Sequence, residues 1–568
     1  MIANKTIDII ERVSVVSTDK HEPSHLQVED GYHHIKTPDA TAHELEGGAL
    51  RGGGAPDLYS RHHIGVLVQF FGSGMIYSIV YRLVYPFLNN YLRMSGIATS
   101  SASVLTALPY TLRFLFGIIS DCYPIAGFRR RPYMVIGWAI CSACCIAMAL
   151  TPTGDPYYPD RKYAFIDPDT LSSEVLATFN TDASGNGTKF VLLLIAANLG
   201  MVLASSAAGG TMVELSQREP ERVRGTLQTL IWVARDIGGV FAASLVGFGL
   251  NSADYGGSFE GSIGVHGLMW ICSAVSVATG LSGWFNITEE RVEKRLSLRQ
   301  EAAKVFQVMQ LKVVYSIVGF LFFKNMFANI GVTAAYPIQS IWAKVEPLNS
   351  SIAAIISSCI GIVSLMIVKQ CGLHWNWRYI IVAAQLGVIV IDVFPTFLTV
   401  WDVYRSQWFW LGVPLLEEIP STFGFIVSTF CMVEIVDEGN EATFYGLVRS
   451  VSALASPFST VITKNMDAHF DIGTAFLQKD TTYVRTQVTY AYLLQYAMQL
   501  FSLAFVVLLP RQKAETQAIK RQGHKSFIAG VLTVVLLLFV LVWSVMTNLM
   551  SIFPSTSCLV IAGGTGCE

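Results

Sequence analysis

The chain of 568 residues is 52% hydrophobic and only 14% charged, and its formal net charge at pH 7 is −2. Soluble domains usually contain about 25% charged residues, and nucleic-acid-binding proteins are usually strongly basic. The composition therefore excludes an ordinary soluble protein and gives no sign of a nucleic-acid partner.

The first 60 residues differ from the rest of the chain. They are polar, they contain the Gly-rich stretch "EGGALRGGGAP", and they lack the apolar core of a cleaved signal peptide. They predict a disordered cytosolic tail over residues 1–60.

Apolar stretches of about 20 residues then recur along the chain, which is the length of a helix that crosses a bilayer. They indicate an all-α polytopic membrane protein, since β-barrel strands would be half as long and would alternate in polarity. The predicted spans are 64–88, 98–120, 133–151, 190–210, 227–250, 264–286, 313–335, 350–368, 378–400, 409–435, 443–463, 488–510 and 527–550. The predicted domains are a six-helix half over 61–286, a cytosolic linker over 287–312, a second six-helix half over 313–510, and an extra C-terminal transmembrane helix with an outer tail over 511–568.

Lys and Arg are about twice as frequent in one set of loops as in the other. Because positive loops stay inside, the N-terminus is expected in the cytosol, and thirteen spans place the C-terminus outside. In the outer loop 152–189, Asn186 starts an Asn-Gly-Thr sequon and is a candidate glycosylation site. Cys558 and Cys567 lie in the outer tail and are candidates for a disulfide.

The second span carries a charge inside apolar sequence. The stretch "LRFLFGIISDCYPIAGFRRRPY" (112–133) places Arg113 eight residues before Asp121 and follows Asp121 with Arg129, Arg130 and Arg131. Eight helical residues cover about 12 Å. If Asp121 marks the inner surface, Arg113 is near mid-membrane, where a charge is tolerated only if it faces water or a partner. We expect Arg113 to face a cavity between two helical halves.

The chain also contains a short internal repeat. "MVELSQREPERVRGTLQTL" begins at Met212 and "MVEIVDEGNEATFYGLVRSV" begins at Met432, a separation of 220 residues or about six spans. Two such halves are the parallel-repeat plan of major facilitator transporters. Glu214 and Glu434 lie at the inner ends of their helices, and we assign them gating or structural roles.

The motif after the second span resembles that of the folate–biopterin transporter family within the major facilitator superfamily. The matching residues include Gly117, Asp121, Gly127, Arg129 and Arg130, and the segments 224–240 and 438–454 also resemble the family. The resemblance covers about 64–510, and the last span and tail are similar to those of oomycete members. It implies that these residues, with Arg131, tether helices and bias the inward–outward equilibrium.

Two positions depart from the family pattern. Many members carry two Asp residues, four apart, just before the Val-Glu of the fourth helix, and the matching residues here are Ser205 and Gly209. If those carboxylates serve substrate or proton binding in the family, their loss weakens the case for folate transport and for the usual proton coupling.

Other charges within spans are candidates for substrate binding. Arg and Lys side chains can hold the carboxylates of an anionic solute, whereas Asp and Glu can hold ring N–H groups or a proton. The candidates besides Arg113 are Arg82, Lys324, Arg235, Asp236, Glu417 and Glu418, while Arg449 and Lys464 flank the eleventh span. The alternative is that these charges pair with one another and only hold helices together.

The sequence therefore predicts a secondary transporter of a small organic solute that works by alternating access, in a multi-pass protein of the plasma membrane. The resemblance implies a folate or pterin as substrate and leaves proton coupling open. Alternatives are a carrier of S-adenosylmethionine and a non-transporting membrane sensor. An intramembrane enzyme is disfavoured, because the sequence shows no P-loop, no zinc-ligand spacing and no nucleophile–base pair. No cofactor or metal is expected.

Overall fold

The computed structural model describes residues 46–94, 96–159, 163, 172–292, 298–550, 555–556, 558–559, 561 and 566. Most of the predicted tail, residues 1–45, lies outside the described residues. Residues 46–60, which the sequence assigns to the same tail, instead contact the helix bundle, because backbone groups of Leu50 and Arg51 bond to Gln217.

Thirteen long helices, labelled α1 to α13, follow the predicted spans in the described part of the chain. Their bounds are α1 Ile64–Tyr91, α2 Ala102–Cys122, α3 Arg131–Leu150, α4 Ala183–Gln217, α5 Thr226–Gly249, α6 Gly264–Phe285, α7 Lys312–Ala328, α8 Leu348–His374, α9 Trp377–Val400, α10 Gln407–Ile435, α11 Glu441–Asp467, α12 Thr482–Leu508 and α13 Phe527–Thr547. Eleven of them are long and apolar enough to cross a membrane. The other two are α7, which has 17 residues, and α11, which carries more polar residues.

Shorter helices connect these spans. The linker helix, Leu298–Met309, joins α6 to α7, and the strap helix, Lys513–Gln522, joins α12 to α13. Further short helices are Ser173–Leu176, Ala335–Pro337 and Thr474–Lys479.

The long helices form two groups of six. Within the first, α1 packs on α4, α5 and α6, and α3 packs on α4 and α6; within the second, α7 packs on α11 and α12, and α9 packs on α10 and α12. The groups meet where α2 and α4 contact α11 and where α5 contacts α8. Gly446 is required at the first of these contacts, because a Cβ there would lie only 2.6 Å from the carbonyl oxygen of Arg113. We refer to the groups as the first half and the second half.

The bundle has two ends that differ in character. The Arg130 face is the end that carries the α2–α3, α4–α5 and α10–α11 turns, the linker helix and the strap helix. The opposite end, the Tyr336 face, carries the α7–α8 and α9–α10 connections. Asn186 lies in the first turns of α4 at the Tyr336 face and is partly exposed; its glycosylation stays a prediction.

The extra helix α13 lies against α11 of the second half and the start of the α2 region. Trp543 stacks on Phe458 of α11 with ring centroids 5.6 Å apart. Its other side leaves Ile528, Leu532 and Leu538 exposed, as expected for a helix surface in lipid. In the predicted tail beyond it, Cys558 is disulfide-bonded, while Cys567 lies outside the described residues.

Candidate functional site

Arg113 points into the protein between the two halves. The residue is only 7% exposed, and its Nη2 donates to Ser205 Oγ of α4 at 3.2 Å. Its guanidinium carbon lies 5.3 Å from the ring centre of Tyr110 and 5.6 Å from that of Tyr445 on α11. The residue therefore lines a narrow pocket, whose wall is formed by Phe70, Ser73, Tyr77, Tyr110, Arg113, Met201, Ser205, Trp232, Arg235 and Tyr445.

Two further arginines lie at this pocket, Arg235 in its wall and Arg449 next to it. Arg235 of α5 lies 5.3 Å from the ring centres of both Tyr77 and Trp232. Arg449 of α11 lies 5.0 Å from Trp232 and 5.3 Å from Phe425 of α10. Trp232 thus stands between two guanidinium groups that belong to different halves of the bundle.

Arg113 and Arg449 lie at similar depth. Arg113 is eight residues from Asp121 and Arg449 is eight residues from Glu441, so each is about 12 Å inside the bundle from those carboxylates. Asp121 and Glu441 both bind Arg130, which places the two starting points together. We call the set Arg113, Arg235, Arg449, Tyr77, Tyr110, Trp232, Phe425 and Tyr445 the arginine–aromatic cluster.

The arginines of the cluster have no close anionic partner among the described residues, although Asp236 interacts electrostatically with Arg235. Within the described part of the chain, none of its arginines forms an ion pair with a carboxylate within 4 Å. Arg113 Nε and Trp232 Nε1 are buried and have no hydrogen-bond partner among the described residues. Cation–π contacts recover part of the burial cost, but unpaired buried donors remain costly. This arrangement is suited to an anionic ligand with a flat ring.

Ser205 and Gly209 both lie at the edge of this cluster. Ser205 accepts the hydrogen bond from Arg113. Gly209 faces the Tyr445 ring, which occupies the space that a Cβ at position 209 would need. At these two positions, many members of the family that the motif resembles carry carboxylates. This chain instead has the neutral hydroxyl of Ser205 and, at Gly209, a close contact with the Tyr445 ring.

The other predicted cations do not join the cluster through any described contact. Arg82 lies within α1 and has a buried Nε, and Lys324 lies on α7. Neither has a hydrogen bond or an ion pair within the residues that the structure describes. Their substrate-binding roles stay predictions.

The predicted carboxylates lie close to one another and to a further acid that the sequence analysis missed. Glu418 accepts from Ser357 at 3.1 Å and from Thr422 at 3.3 Å, and it interacts electrostatically with Asp236. Glu417 has one buried oxygen without a described partner and interacts with Asp392 and Glu418.

Asp392 itself lies on α9 and accepts from Tyr496 at 2.8 Å and from Thr396 at 3.3 Å. The single Asp within "VIVIDVFP" was the available sequence signal for it. Asp392, Glu417 and Glu418 form what we call the acidic group.

At the Arg130 face, paired charges join the two halves. Asp121 and Glu441 bind the same Arg130 guanidinium, with Arg130 Nη2 donating to Glu441 at 2.8 Å. Asp121 also accepts from the backbone N–H and the hydroxyl of Thr443, at 2.8 and 2.6 Å. A second link joins Arg224 of the first half to Glu434 of the second at 3.0 Å. We call these contacts of Asp121, Arg130, Glu441, Arg224 and Glu434 between the halves the seam.

The remaining motif residues hold the seam in place. Gly117 permits close approach to Ala442 of α11, and Gly127 has a positive φ of 82° in the turn. The backbone N–H groups of residues 129–131 all donate to Glu289 at 2.6–3.0 Å.

Two further predicted gating residues differ in where their side chains lie. Arg131 lies over Trp284 at 4.7 Å, within the first half. Glu214 pairs with Arg218 at 3.0 Å and with Arg51 at 3.3 Å. The gating and structural roles of these residues stay predictions.

The sequence matches a known family over most of its length. The model of the BT1 family matches residues 73–159 and 175–526. Among curated proteins, the chain is 25% identical over 175 residues to the probable folate-biopterin transporter 4 of Arabidopsis thaliana, covering 31% of this chain and 30% of that protein. It is 21% identical over 378 residues to the folate-biopterin transporter of Synechocystis sp., covering 66% of this chain and 68% of that protein.

Solved structures share the arrangement of the helices. A proton:xylose symporter of the major facilitator superfamily superposes with a TM-score of 0.53 at 14% identity, covering 81% of this chain and 97% of that chain. The human organic anion transporter MFSD10 superposes with a TM-score of 0.50 at 12% identity, covering 77% and 99%. At such identities the likeness establishes the major facilitator fold alone.

Proposed function

We propose a substrate and a transport cycle for this chain. It belongs to the BT1 family, the folate–biopterin transporter family. It is a multi-pass membrane transporter rather than an enzyme. The substrate that the site supports best is a folate, meaning a pterin-type ring joined to a tail with carboxylates. The observation that carries this proposal is the arginine–aromatic cluster, with three guanidinium groups and no described carboxylate within 4 Å of them.

The chemistry of a folate matches the cluster in two ways. Carboxylates bind guanidinium groups through paired, charge-assisted hydrogen bonds, which would satisfy donors such as Arg113 Nε. A flat heteroaromatic ring can stack against aromatic side chains, which here come from Tyr77, Tyr110, Trp232 and Tyr445. The carboxylates of the acidic group, which lies in the second half, would accept hydrogen bonds from the N–H groups of the ring.

The change at position 205 supports an anionic substrate. An Asp there would be within reach of Arg113 and would neutralise part of its charge, whereas Ser205 leaves the guanidinium positive and offers one hydroxyl. The absence of the family carboxylates therefore favours an anion over the cation S-adenosylmethionine.

The cycle that we propose is alternating access around this cluster. In the described state, buried ion pairs close the Arg130 face. At the Tyr336 face, Tyr85 and Tyr336 are exposed and their hydroxyls lie 3.5 Å apart. Opening the Arg130 face would require Asp121, Arg130 and Glu441 to separate. We further propose that this face is cytosolic, because the Lys and Arg excess lies there, and that the protein resides in the plasma membrane.

Proton coupling is a separate part of the proposal. Buried carboxylates in membrane helices commonly carry coupling protons, and the acidic group on α9 and α10 is the candidate here. Comparison of folate uptake with and without an imposed pH gradient tests this part independently.

The substrate is tested by uptake of labelled folate, biopterin and S-adenosylmethionine into a host that lacks its own carriers. We expect folate uptake well above that of biopterin, which has no carboxylate, and none of S-adenosylmethionine. Uptake of S-adenosylmethionine without folate would contradict the proposal. Folate binding without uptake would favour the sensor alternative, which the family and the fold do not favour.

A further inference from the structure

The segment before α1 lies on the Arg130 face and is anchored to the first half. The backbone N–H groups of Leu50 and Arg51 donate to the carbonyl oxygen of Gln217 at 2.9 and 3.1 Å. The carbonyl oxygen of Gly48 accepts from Arg224 at 2.7 Å, and that of Gly47 accepts from the Glu221 N–H at 2.9 Å. These backbone contacts all go to the first half.

The side chain of Arg51 reaches further than its backbone. One guanidinium nitrogen lies 3.3 Å from Glu214 of α4, and another bonds to Glu441 of α11 in the second half. The side chain is 14% exposed. Although burial opposes it, the carboxylates of Glu441 and Glu214 raise the pKa of Arg51 above its ordinary value.

Glu441 takes part in two ion pairs. Its second oxygen accepts from Arg130 at 2.8 Å, and Arg130 also binds Asp121 of α2. Arg130 of the first half and Arg51 of the N-terminal segment therefore both bind the Glu441 carboxylate of the second half.

We propose that Arg51 is a gate residue of the transport cycle, which couples the N-terminal segment to closure of the Arg130 face. Since Glu214 and Glu441 belong to different halves, Arg51 cannot hold both once the halves separate at this face. Opening must break at least the bond to Glu441. This inference rests on the alternating-access cycle proposed above and on the seam contacts, and it does not depend on the identity of the substrate.

The contacts separate a gating role from simple anchoring. Residues 47–50 and the Arg51 backbone would keep the segment on the first half even without the Arg51 side chain. A change confined to that side chain should therefore leave the segment attached and alter only the link to the second half.

The test measures the distance between the halves at the Arg130 face in the full chain. Spin labels are placed at Phe285→Cys on α6 and Tyr379→Cys on α9, which are 69% and 75% exposed, after the exposed native Cys359 and Cys371 are replaced by serine. The readout is the ratio of molecules with a long distance between the labels to molecules with a short one. A general loss of stability would not shift this ratio in a defined direction.

We expect Arg51→Gln to raise the ratio of open to closed molecules about tenfold, the effect of losing a charge-assisted hydrogen bond. Arg51→Lys keeps the charge but not the forked geometry, so it should give a smaller shift in the same direction. The control is Arg61→Gln, which removes an exposed arginine from the same segment and should leave the distances unchanged.

The outcomes are decisive in each case. An unchanged ratio in Arg51→Gln, or an equal shift in Arg61→Gln, overturns the proposal. If Arg51→Gln is not recovered folded, the direction of the shift in Arg51→Lys decides. Added to Glu441→Gln, Arg51→Gln should shift the ratio little further, because the two variants remove the same link.

Discussion

The seam at the Arg130 face and the arginine–aromatic cluster lie about 12 Å apart along the same helices, yet they treat charge in opposite ways. In the seam, Asp121, Arg130 and Glu441 satisfy one another across the halves. In the cluster, Arg113, Arg235 and Arg449 have aromatic neighbours but no ion pair with a described carboxylate. We propose that the paired buried charges of the seam determine which face is closed, whereas the cluster arginines, which have no ion pair among the described residues, are available to bind a ligand.

The contrast has an energetic consequence. Breaking a buried ion pair by removing one partner leaves a charge in a low-dielectric interior and costs several kcal/mol. Removing a charge that has no partner relieves a cost that the fold already bears. Substitutions in the two regions should therefore have opposite effects on stability and separate effects on transport.

The largest expected effect is that of Asp121→Ala. It leaves Glu441 as the one described carboxylate that pairs with Arg130 and takes the acceptor from Thr443, so we expect a loss of about 3–5 kcal/mol in stability. Thermal unfolding of the purified protein measures it. Asp437→Ala is the matched control, because Asp437 is 40% exposed and pairs with Lys520 at 2.8 Å, and a surface pair contributes less than about 1 kcal/mol. Equal losses in both variants would contradict the assignment of the seam.

Arg449→Met is expected to act in the other direction on stability. It removes a cation that has no ion pair among the described residues and keeps the length of the side chain, so the unfolding temperature should stay the same or rise. Folate uptake should fall about 100-fold, the effect of removing one member of a buried charge pair with the substrate. Lys464→Met on the exposed end of the same helix is the control and should transport normally. Normal uptake by Arg449→Met would remove Arg449 from the substrate site.

The helices and the depth of Arg113 could be predicted because span length and helical rise are local properties of the sequence. The first-half residues of the seam, Asp121 and Arg130, could be predicted because they lie in one short motif, whereas their second-half partner Glu441 was not predicted. The remaining members of the cluster and of the acidic group could not be predicted from the sequence. Arg449 and Asp392 each lie on a helix whose inward face depends on packing between halves, and nothing in the local sequence fixes that face.

The N-terminal segment shows a different limit. Its Gly-rich composition is typical of a flexible linker, and residues 46–51 contain no apolar pattern that would indicate docking. The segment is held by backbone carbonyl and N–H groups that every residue carries, so its contacts depend on acceptors such as Gln217 that are more than 150 positions away.

Ser205→Asp tests whether an arginine of the cluster binds substrate less tightly when it is paired with a carboxylate, as the arginines of the seam are. The new carboxylate would face Arg113, which already donates to Ser205 at 3.2 Å, and would compete with an anionic substrate. We expect KM for folate to rise about tenfold, equivalent to about 1.4 kcal/mol, with little change in stability. Ser205→Asn has the same size without the charge and should have a much smaller effect. Equal KM changes in both variants would indicate a steric cause.

The smallest expected effect concerns a carboxylate of the α4–α5 turn, at the Arg130 face, whose described hydrogen bonds come from the backbone rather than from a cation. Glu219 is buried and accepts from the N–H groups of Gly225 and Leu227, both at 2.9 Å. Burial raises its pKa to about 7, although these hydrogen bonds act against the rise. The folded protein then keeps a proton that the unfolded chain releases near pH 4.5, so stability should fall as pH rises from about 4.5 to about 7. Glu219→Gln should remove that slope, a difference of about 1–2 °C in unfolding temperature across the window. Glu221→Gln, at an exposed neighbouring position, should keep the slope. A slope that survives Glu219→Gln would assign the pH dependence to another group and leave Glu219 as a cap of α5 only.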